Sequence, residues 1–345
     1  MIKVLVVDDS PTVQQLMMHI LNSDEDIEVI GIANNGEKAI KFMEKNKPDV
    51  ITMDIAMPEI DGFEATRKIM EVNPVPIIIV TGLFNSQDID KTFKAMNAGA
   101  VAVIEKPAGI ADGNFKEASQ NIINTVKLMS EVKVIKRKWN QKNIKTNMLS
   151  EAKVRKVLPE IKVVAIGVST GGPPVLQTIF SKLPPNIKIP ILVVQHITPG
   201  FLAGLIEWLS RVTQYPIHIA SQGERALPGH IYFAPDGFHM EVRGDGRIFL
   251  NDSEKESGLR PSVSYLFKSV ATCYGKNSMA ILLTGMGKDG AKELKFLKDI
   301  GAITVAQDKD TSVVYGMPGE AVKLNAATYV LSPEKIGELL GKYSE

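Results

Sequence analysis

Residues 161–172 (IKVVAIGVSTGG) join an apolar β-branched run to a glycine-framed serine. Val163, Val164 and Ile166 lead into Gly167-Val168-Ser169-Thr170-Gly171-Gly172, and Pro173 and Pro174 open a helical pattern. The letters spell strand, sharp turn and helix, with Ser169 at the apex of a turn that only glycines allow. The following helix turns its N-terminal N–H groups and positive dipole end toward the same place. Access and nearby donors are what a nucleophilic serine needs, although an ordinary glycine-rich turn or a phosphate cradle would read the same way. Two further residues bear on the choice. His196 ends the run IPILVVQ, and Asp289 lies in the loop after MAILLTG. Taken singly, His196 reads as a structural strand-end residue and Asp289 as a helix N-cap beside Gly290. In a parallel sheet all three residues stand on one edge. Together they supply the nucleophile, base and orienting acid of a serine hydrolase. The chain order Ser, His, Asp is not the Ser, Asp, His of α/β-hydrolases, so the Gly-x-Ser-x-Gly match does not imply that fold.

A second set of polar residues ends the strands of the first third of the chain. Asp8 and Asp9 follow the run Ile2–Val7, Asp54 follows DVITM, Thr81 follows PIIIV, and Lys106-Pro107 follows VAVIE. Carboxylates converging on one edge repel one another unless a cation joins them, and a small cluster of hard oxygens suits Mg²⁺, which also accepts phosphoryl oxygens. A lysine and a hydroxyl alongside would hold the remaining phosphoryl oxygens. The chemistry implied is phosphoryl transfer onto an aspartate, with Asp54 central. Any one Asp here could be a loop or cap residue; the five polar residues at strand ends in sequence order make a consistent set.

The elements that must position these residues alternate strand and helix. Five strands and five helices, the last a long helix from about Asn114, fill the first third and predict a doubly wound parallel sheet. Strand–helix alternation resumes at residue 161 and predicts a second such sheet. GHIYFAPDGFHMEVRGDGRIFL interrupts it, with turns at Asp236-Gly237 and Gly244-Asp245-Gly246, and predicts antiparallel hairpin structure inserted in or flanking that sheet. The fold class is therefore α/β with two doubly wound sheets. The domain division is 1–125, a linker over 126–160, and 161–345, as 345 residues also suggest. The linker is basic (Lys133, Lys136, Arg137, Lys138, Lys142, Lys145) and reads as a solvated connection, with Trp139 as a residue for a domain interface or a docking partner. Forty basic against 39 acidic residues leave no global field for nucleic acid. Cys273, the single cysteine, excludes an internal disulfide, fits a reducing compartment and reads as a core filler. No apolar run approaches the ~18 residues of a membrane span, and MIKVLVVDDS is no signal peptide. A cytoplasmic protein without membrane insertion is expected, and nothing signals obligate oligomerisation, so a monomer is expected.

Residues 1–125 resemble the response-regulator receiver family through VDDS, Asp54 followed by MPEIDG, Thr81, and Lys106-Pro107. The resemblance implies a flavodoxin-like domain in which a histidine kinase phosphorylates Asp54. It also implies Mg²⁺ held by Asp9, Asp54 and a carbonyl near Ala56 with help from Asp8, and phosphoryl sensing by Thr81 and Lys106. Val103 stands where receivers usually carry an aromatic switch residue. Residues 161–345 resemble the catalytic domain of the chemotaxis protein-glutamate methylesterase (CheB) family. The matching pieces are Gly167–Gly172, Gln195-His196, Ala234-Pro235, Arg260–Val263, Thr284–Gly290 and Thr311–Pro318. This resemblance implies a Rossmann-like domain that hydrolyses glutamate γ-methyl esters on methyl-accepting chemotaxis receptors, with glutamine deamidation in some members. Ser169, His196 and Asp289 would be catalytic, Thr170 and Met286 would support the oxyanion, and no cofactor would serve the esterase reaction. Two departures are Ser264, where an acidic residue is expected, and Asp236, where glycine is common; both are expected to lie off the triad and to affect substrate entry.

Overall fold

The computed structural model describes residues 1–82, 86–107, 109, 113, 115–132, 134, 160–185 and 187–343, with the side chains of 86–90 excepted. The basic stretch from Lys136 and Trp139 lie outside the described residues. The first sheet holds β1 (Ile2–Val7), β2 (Ile27–Ala33), β3 (Val50–Met53), β4 (Ile77–Thr81) and β5 (Ala102–Glu105). Its helices are α1 (Pro11–Asn22), α2 (Gly36–Lys45), α3 (Gly62–Val72), α4 (Ser86–Ala98) and α5 (Phe115–Ser130). All its strand pairs are parallel, in the order β2-β1-β3-β4-β5. The four residues of β3 and the five of β4 are all buried, as the continuous apolar runs require of strands covered on both faces.

The second sheet is parallel as well, in the order β14-β13-β12-β6-β7-β9-β8. Its strands are β6 (Val163–Val168), β7 (Ile191–Gln195), β8 (Ile217–Ile219), β9 (Ile231–Phe233), β12 (Ser278–Leu282), β13 (Ile303–Gln307) and β14 (Tyr329–Leu331). The helices are α6 (Gly172–Phe180), α7 (Leu202–Thr213), α8 (Val263–Tyr274), α9 (Ala291–Asp299), α10 (Met317–Lys323) and α11 (Pro333–Gly341). The expected hairpin is β10 (His239–Val242) with β11 (Ile248–Asn251), an antiparallel pair outside the large sheet. It is shorter than the alternating stretch suggested. Ile231–Phe233, the start of that stretch, joins the parallel sheet between β7 and β8, because its three buried side chains fill the layer beside Ile191–Val193.

The α4–β5 side of the first sheet's layer meets α6, α7 and the loop after β7. Phe93 stacks on Trp208 with ring centroids 4.9 Å apart. Asn97 Nδ2 donates to Gln177 Oε1 at 3.0 Å, and Thr198 Oγ1 donates to the Val103 carbonyl at 2.9 Å. The aromatic pair is worth about 0.5–1.5 kcal/mol beyond its area.

Candidate active site and phosphorylation site

β6 is the switch point of the large sheet, since the chain continues to β7 on one side and later returns as β12 on the other. The crevice at the carboxyl ends of such strands is where α/β sheets bind ligands. Ser169 follows β6 directly. Its N–H donates to the Thr284 carbonyl (3.0 Å), and its own carbonyl accepts from Gly172 N–H (2.9 Å) and Gln195 Nε2 (3.0 Å). Gly171 is the N-cap of α6 at φ 78°, where a side chain would be strained, and a Cβ on Gly285 would come within 2.6 Å of the Ser169 Cβ. The glycines that frame the serine, near and far in sequence, thus let three backbone segments converge on it.

His196 ends β7. Its N–H donates to the Val168 carbonyl (2.9 Å), and its carbonyl accepts from Gln195 Nε2 at 2.8 Å. One amide side chain therefore clamps the backbones of Ser169 and His196 together. Ser169, Thr170 and His196 line one cavity of about 90 Å³, and Met96 and Val103 line it from the first domain. Asp289 Oδ2 lies 3.1 Å from His196 Nε2, off the line of the ring N–H. Among the described residues the N–H groups of Thr170 and Met286 have no partner, so both are free as donors to a developing oxyanion.

Asp289 is not the N-cap of the helix that follows it. Gly290 holds that place in α9. The Asp289 carboxylate instead caps α8 from across the sheet edge. Oδ2 accepts Val263 N–H at 2.7 Å, and Oδ1 accepts Ser264 N–H at 3.1 Å, Ser262 Oγ at 2.9 Å and Ser264 Oγ at 2.7 Å. Burial alone would raise its pKa, but the His196 contact, the Ser264 hydroxyl and the Val263 N–H outweigh it and hold the carboxyl at about 2. The helix N-terminus adds its dipole to the same effect. Ser264 thus touches Asp289 directly, which corrects the expectation that this departure stays clear of the three predicted residues. The other departure, Asp236, accepts Gly200 N–H at 2.9 Å and ties the loop after β9 to the approach of α7.

The first sheet has its own switch point between β1 and β3, and there the second set of predicted residues assembles. Ligand oxygens of Asp8, Asp9 and Asp54 lie within 4.8 Å of one another, and Asp8 and Asp54 are buried. Lys106 Nζ lies 2.9 Å from both Asp8 Oδ2 and Asp54 Oδ2. Thr81 is buried at the end of β4, and its carbonyl accepts Lys106 N–H at 2.8 Å. A cluster of three carboxylates with one balancing cation fits a small hard divalent ion such as Mg²⁺. Desolvation raises the Asp54 pKa, against the lowering effect of Lys106. Asp8 Oδ1 accepts Ser10 N–H at 2.9 Å, and Asp54 Oδ1 accepts Ile55 N–H at 2.8 Å.

A model of the family described as "CheB methylesterase" matches residues 164–340, and one described as "Response regulator receiver domain" matches residues 4–114. The chain belongs to the CheB methylesterase family. A relative from Syntrophus aciditrophicus, named protein-glutamate methylesterase/protein-glutamine glutaminase 1, is 54% identical over 99% of this chain and 98% of its own length. A relative of the same kind from Nitrosospira multiformis is 50% identical over 99% of this chain and 96% of its own length. Among solved structures, the CheB methylesterase catalytic domain of Thermotoga maritima is 40% identical, with a TM-score of 0.51 over 53% of this chain and 98% of that domain. Family membership makes the chain an enzyme that carries a receiver domain. Among the described residues no helix is long and apolar enough to cross a membrane.

Residue-by-residue reading left Gln195, Thr284, Ser262 and Ser264 without roles. Gln195, Ser262 and Thr284 stand in the motifs behind the resemblance. Nothing in their local pattern says that an amide spans two strand ends or that a serine 27 residues before Asp289 bonds to it.

Proposed function

We propose that this chain is a phosphorylation-regulated protein-glutamate methylesterase. It hydrolyses glutamate γ-methyl esters on methyl-accepting chemotaxis receptors, deamidates receptor glutamines at the same centre, and acts by a Ser-His-Asp mechanism. The observation that carries the reading is the convergence of Ser169 and His196 on one cavity, with Asp289 Oδ2 3.1 Å from His196 Nε2.

Because Nε2 faces Asp289, the other ring nitrogen, Nδ1, is the base. It takes the Ser169 proton as the hydroxyl attacks the ester carbonyl. The charge on the carbonyl oxygen develops against the Thr170 and Met286 N–H groups. Asp289 holds the tautomer and stabilises the imidazolium without taking its proton. That proton passes to the departing methoxide, giving methanol, or to the departing amide nitrogen of a glutamine, giving ammonia. Water, deprotonated by the same histidine, then frees the acyl-enzyme and leaves a glutamate.

Asp54 is the phosphoryl acceptor, with a chemotaxis histidine kinase as donor. Asp8, Asp9 and Asp54 would hold Mg²⁺, which neutralises the charge of the incoming phosphoryl group. Lys106 and Thr81 would bind phosphoryl oxygens. Lys106 then trades the bond to Asp54 for one to phosphate, and β5, which it follows, is the strand whose Val103 carbonyl accepts from Thr198. Phosphorylation loosens the α4–β5 face from the mouth of the esterase cavity and frees access to Ser169.

The test is methanol release from methylated chemoreceptor membranes. Wild type should release methanol, faster after treatment with acetyl phosphate and Mg²⁺, and Ser169→Ala should release none above the blank. Release that survives in Ser169→Ala would overturn the seryl mechanism. No release from phosphorylated wild type would overturn the substrate.

A further inference from the structure

Ser264 Oγ stands between two carboxylates. It lies 2.7 Å from Asp289 Oδ1 and 2.8 Å from Glu293 Oε2, and it accepts Gly290 N–H at 3.1 Å. Ser264 is buried, and the Glu293 side chain is only 17% exposed, so water competes little for either contact. A hydroxyl carries one proton. The two carboxylates therefore share it, and hydrogen-bond strength given to one is taken from the other.

Part of this arrangement is helix capping. Glu293 lies in the first turn of α9, where an acid ordinarily reaches back to the N–H of the N-cap residue. Here Ser264 Oγ takes the Gly290 N–H and Glu293 binds the hydroxyl instead. Capping explains the Gly290 and Glu293 contacts. It gives no reason for the same oxygen to lie 2.7 Å from the acid that faces His196.

We propose that Ser264 and Glu293 are positioning residues of the esterase centre: by dividing one hydroxyl proton between Asp289 and Glu293, they set how much negative charge Asp289 presents to His196. The proposal rests on the Ser169–His196–Asp289 reading above. The charged group that faces Asp289 is His196, from the loop after β7, and its other partners are neutral donors of α8. The charged group that faces Glu293 is Lys268 of α8, whose Nζ lies 3.9 Å from Oε1 and 2.6 Å from Glu256. Deleting the Ser264 hydroxyl strips Oδ1 of a donor, leaves the Asp289 charge less compensated and favours the imidazolium. Replacing Glu293 by glutamine has the opposite sign. The competing anion goes, the amide N–H₂ can donate to Ser264 Oγ, and the hydroxyl proton turns wholly to Asp289.

The test is an NMR titration of the His196 ring in the full chain, its signal assigned by its loss in His196→Gln. Ser264→Ala should raise the midpoint by about 0.5–1 pH unit, and Glu293→Gln should lower it by a few tenths of a unit. Ser264→Thr, which keeps the hydroxyl, should titrate like wild type. The acid limb of kcat/KM should move with each midpoint. A purely structural cap would change thermal stability without opposed shifts, so midpoints unchanged in both variants, or displaced in the same direction, would overturn the proposal. Glu293→Gln lies at the edge of the site and keeps the test open if Ser264→Ala folds poorly. Failure of the esterase reading would show differently: no Ser169-dependent methanol, with the opposed shifts still present.

Discussion

Two buried aspartates stand at the switch points of two parallel sheets in this chain, and they are treated in opposite ways. Asp289 receives four hydrogen bonds from the start of α8 and faces a histidine, so its carboxyl is held at about 2. Asp54 receives Lys106 and the backbone N–H groups of Ile55 and Ala56, shares that lysine with Asp8, and is pushed upward by desolvation. The first is an anion whose burial its donors outweigh, which suits the orienting role proposed for it. The second is an anion whose burial is not fully offset by its donors, so it gains from a nearby divalent cation. The same side chain in the same kind of crevice is held anionic or pushed toward neutrality according to the donors its surroundings turn toward it.

The largest effect expected from breaking this contrast is at Asp289. Asp289→Asn keeps the shape but offers N–H₂ where donors already point, and it should lower kcat of the methylesterase by about 10³–10⁴-fold with KM little changed, read by methanol release. Next comes the interface that ties the two sites together. Phe93→Ala removes the stack on Trp208 beside the shared cavity, and it should raise the unphosphorylated rate several-fold while leaving the phosphorylated rate near wild type. A basal rate that stays flat would separate the contact from regulation.

The acid behaviour of Asp289 follows from the sign of its shift. A folded pKa near 2 against 3.8 contributes stability that is fully present above about pH 4 and is lost as pH falls toward 2. This is worth about 2 kcal/mol, so acid-unfolding curves of wild type and Asp289→Asn should converge toward pH 2. Asp54 is the mirror case, with the smallest effect. Its raised pKa means that ionisation costs stability at neutral pH, so Asp54→Asn should raise the unfolding midpoint of the first domain, observed by calorimetry. A lowered midpoint would mean that the Lys106 pair outweighs burial.

Much of this contrast was legible in the letters. Buried parallel strands read as continuous apolar runs, and the residue that ends each run is placed at the sheet edge by topology alone. This is why the sequence alone assigns Asp8, Asp54, Ser169 and His196 to edges. What was not legible depends on contacts across long separations. Ile231–Phe233 is a three-residue strand whose membership in the parallel sheet is decided by the layer it fills, while its local pattern runs on into the hairpin. Asp289 beside Gly290 looks like the cap of its own helix, and only packing shows that it caps α8. Ser264 counted as a peripheral departure for the same reason. The meeting of Val103 with Thr198 has no sequence signal, since it joins a strand of one sheet to a loop of the other.

The most direct test of the link between the two aspartates is the rate at which a fluorophosphonate labels Ser169 in the full chain, with and without acetyl phosphate and Mg²⁺. Labelling should accelerate on phosphorylation in wild type, remain at the basal rate in Asp54→Asn, and vanish in Ser169→Ala. Equal labelling rates in phosphorylated and unphosphorylated wild type, with Asp54 shown to carry phosphate, would contradict the claim that the receiver governs access to the serine.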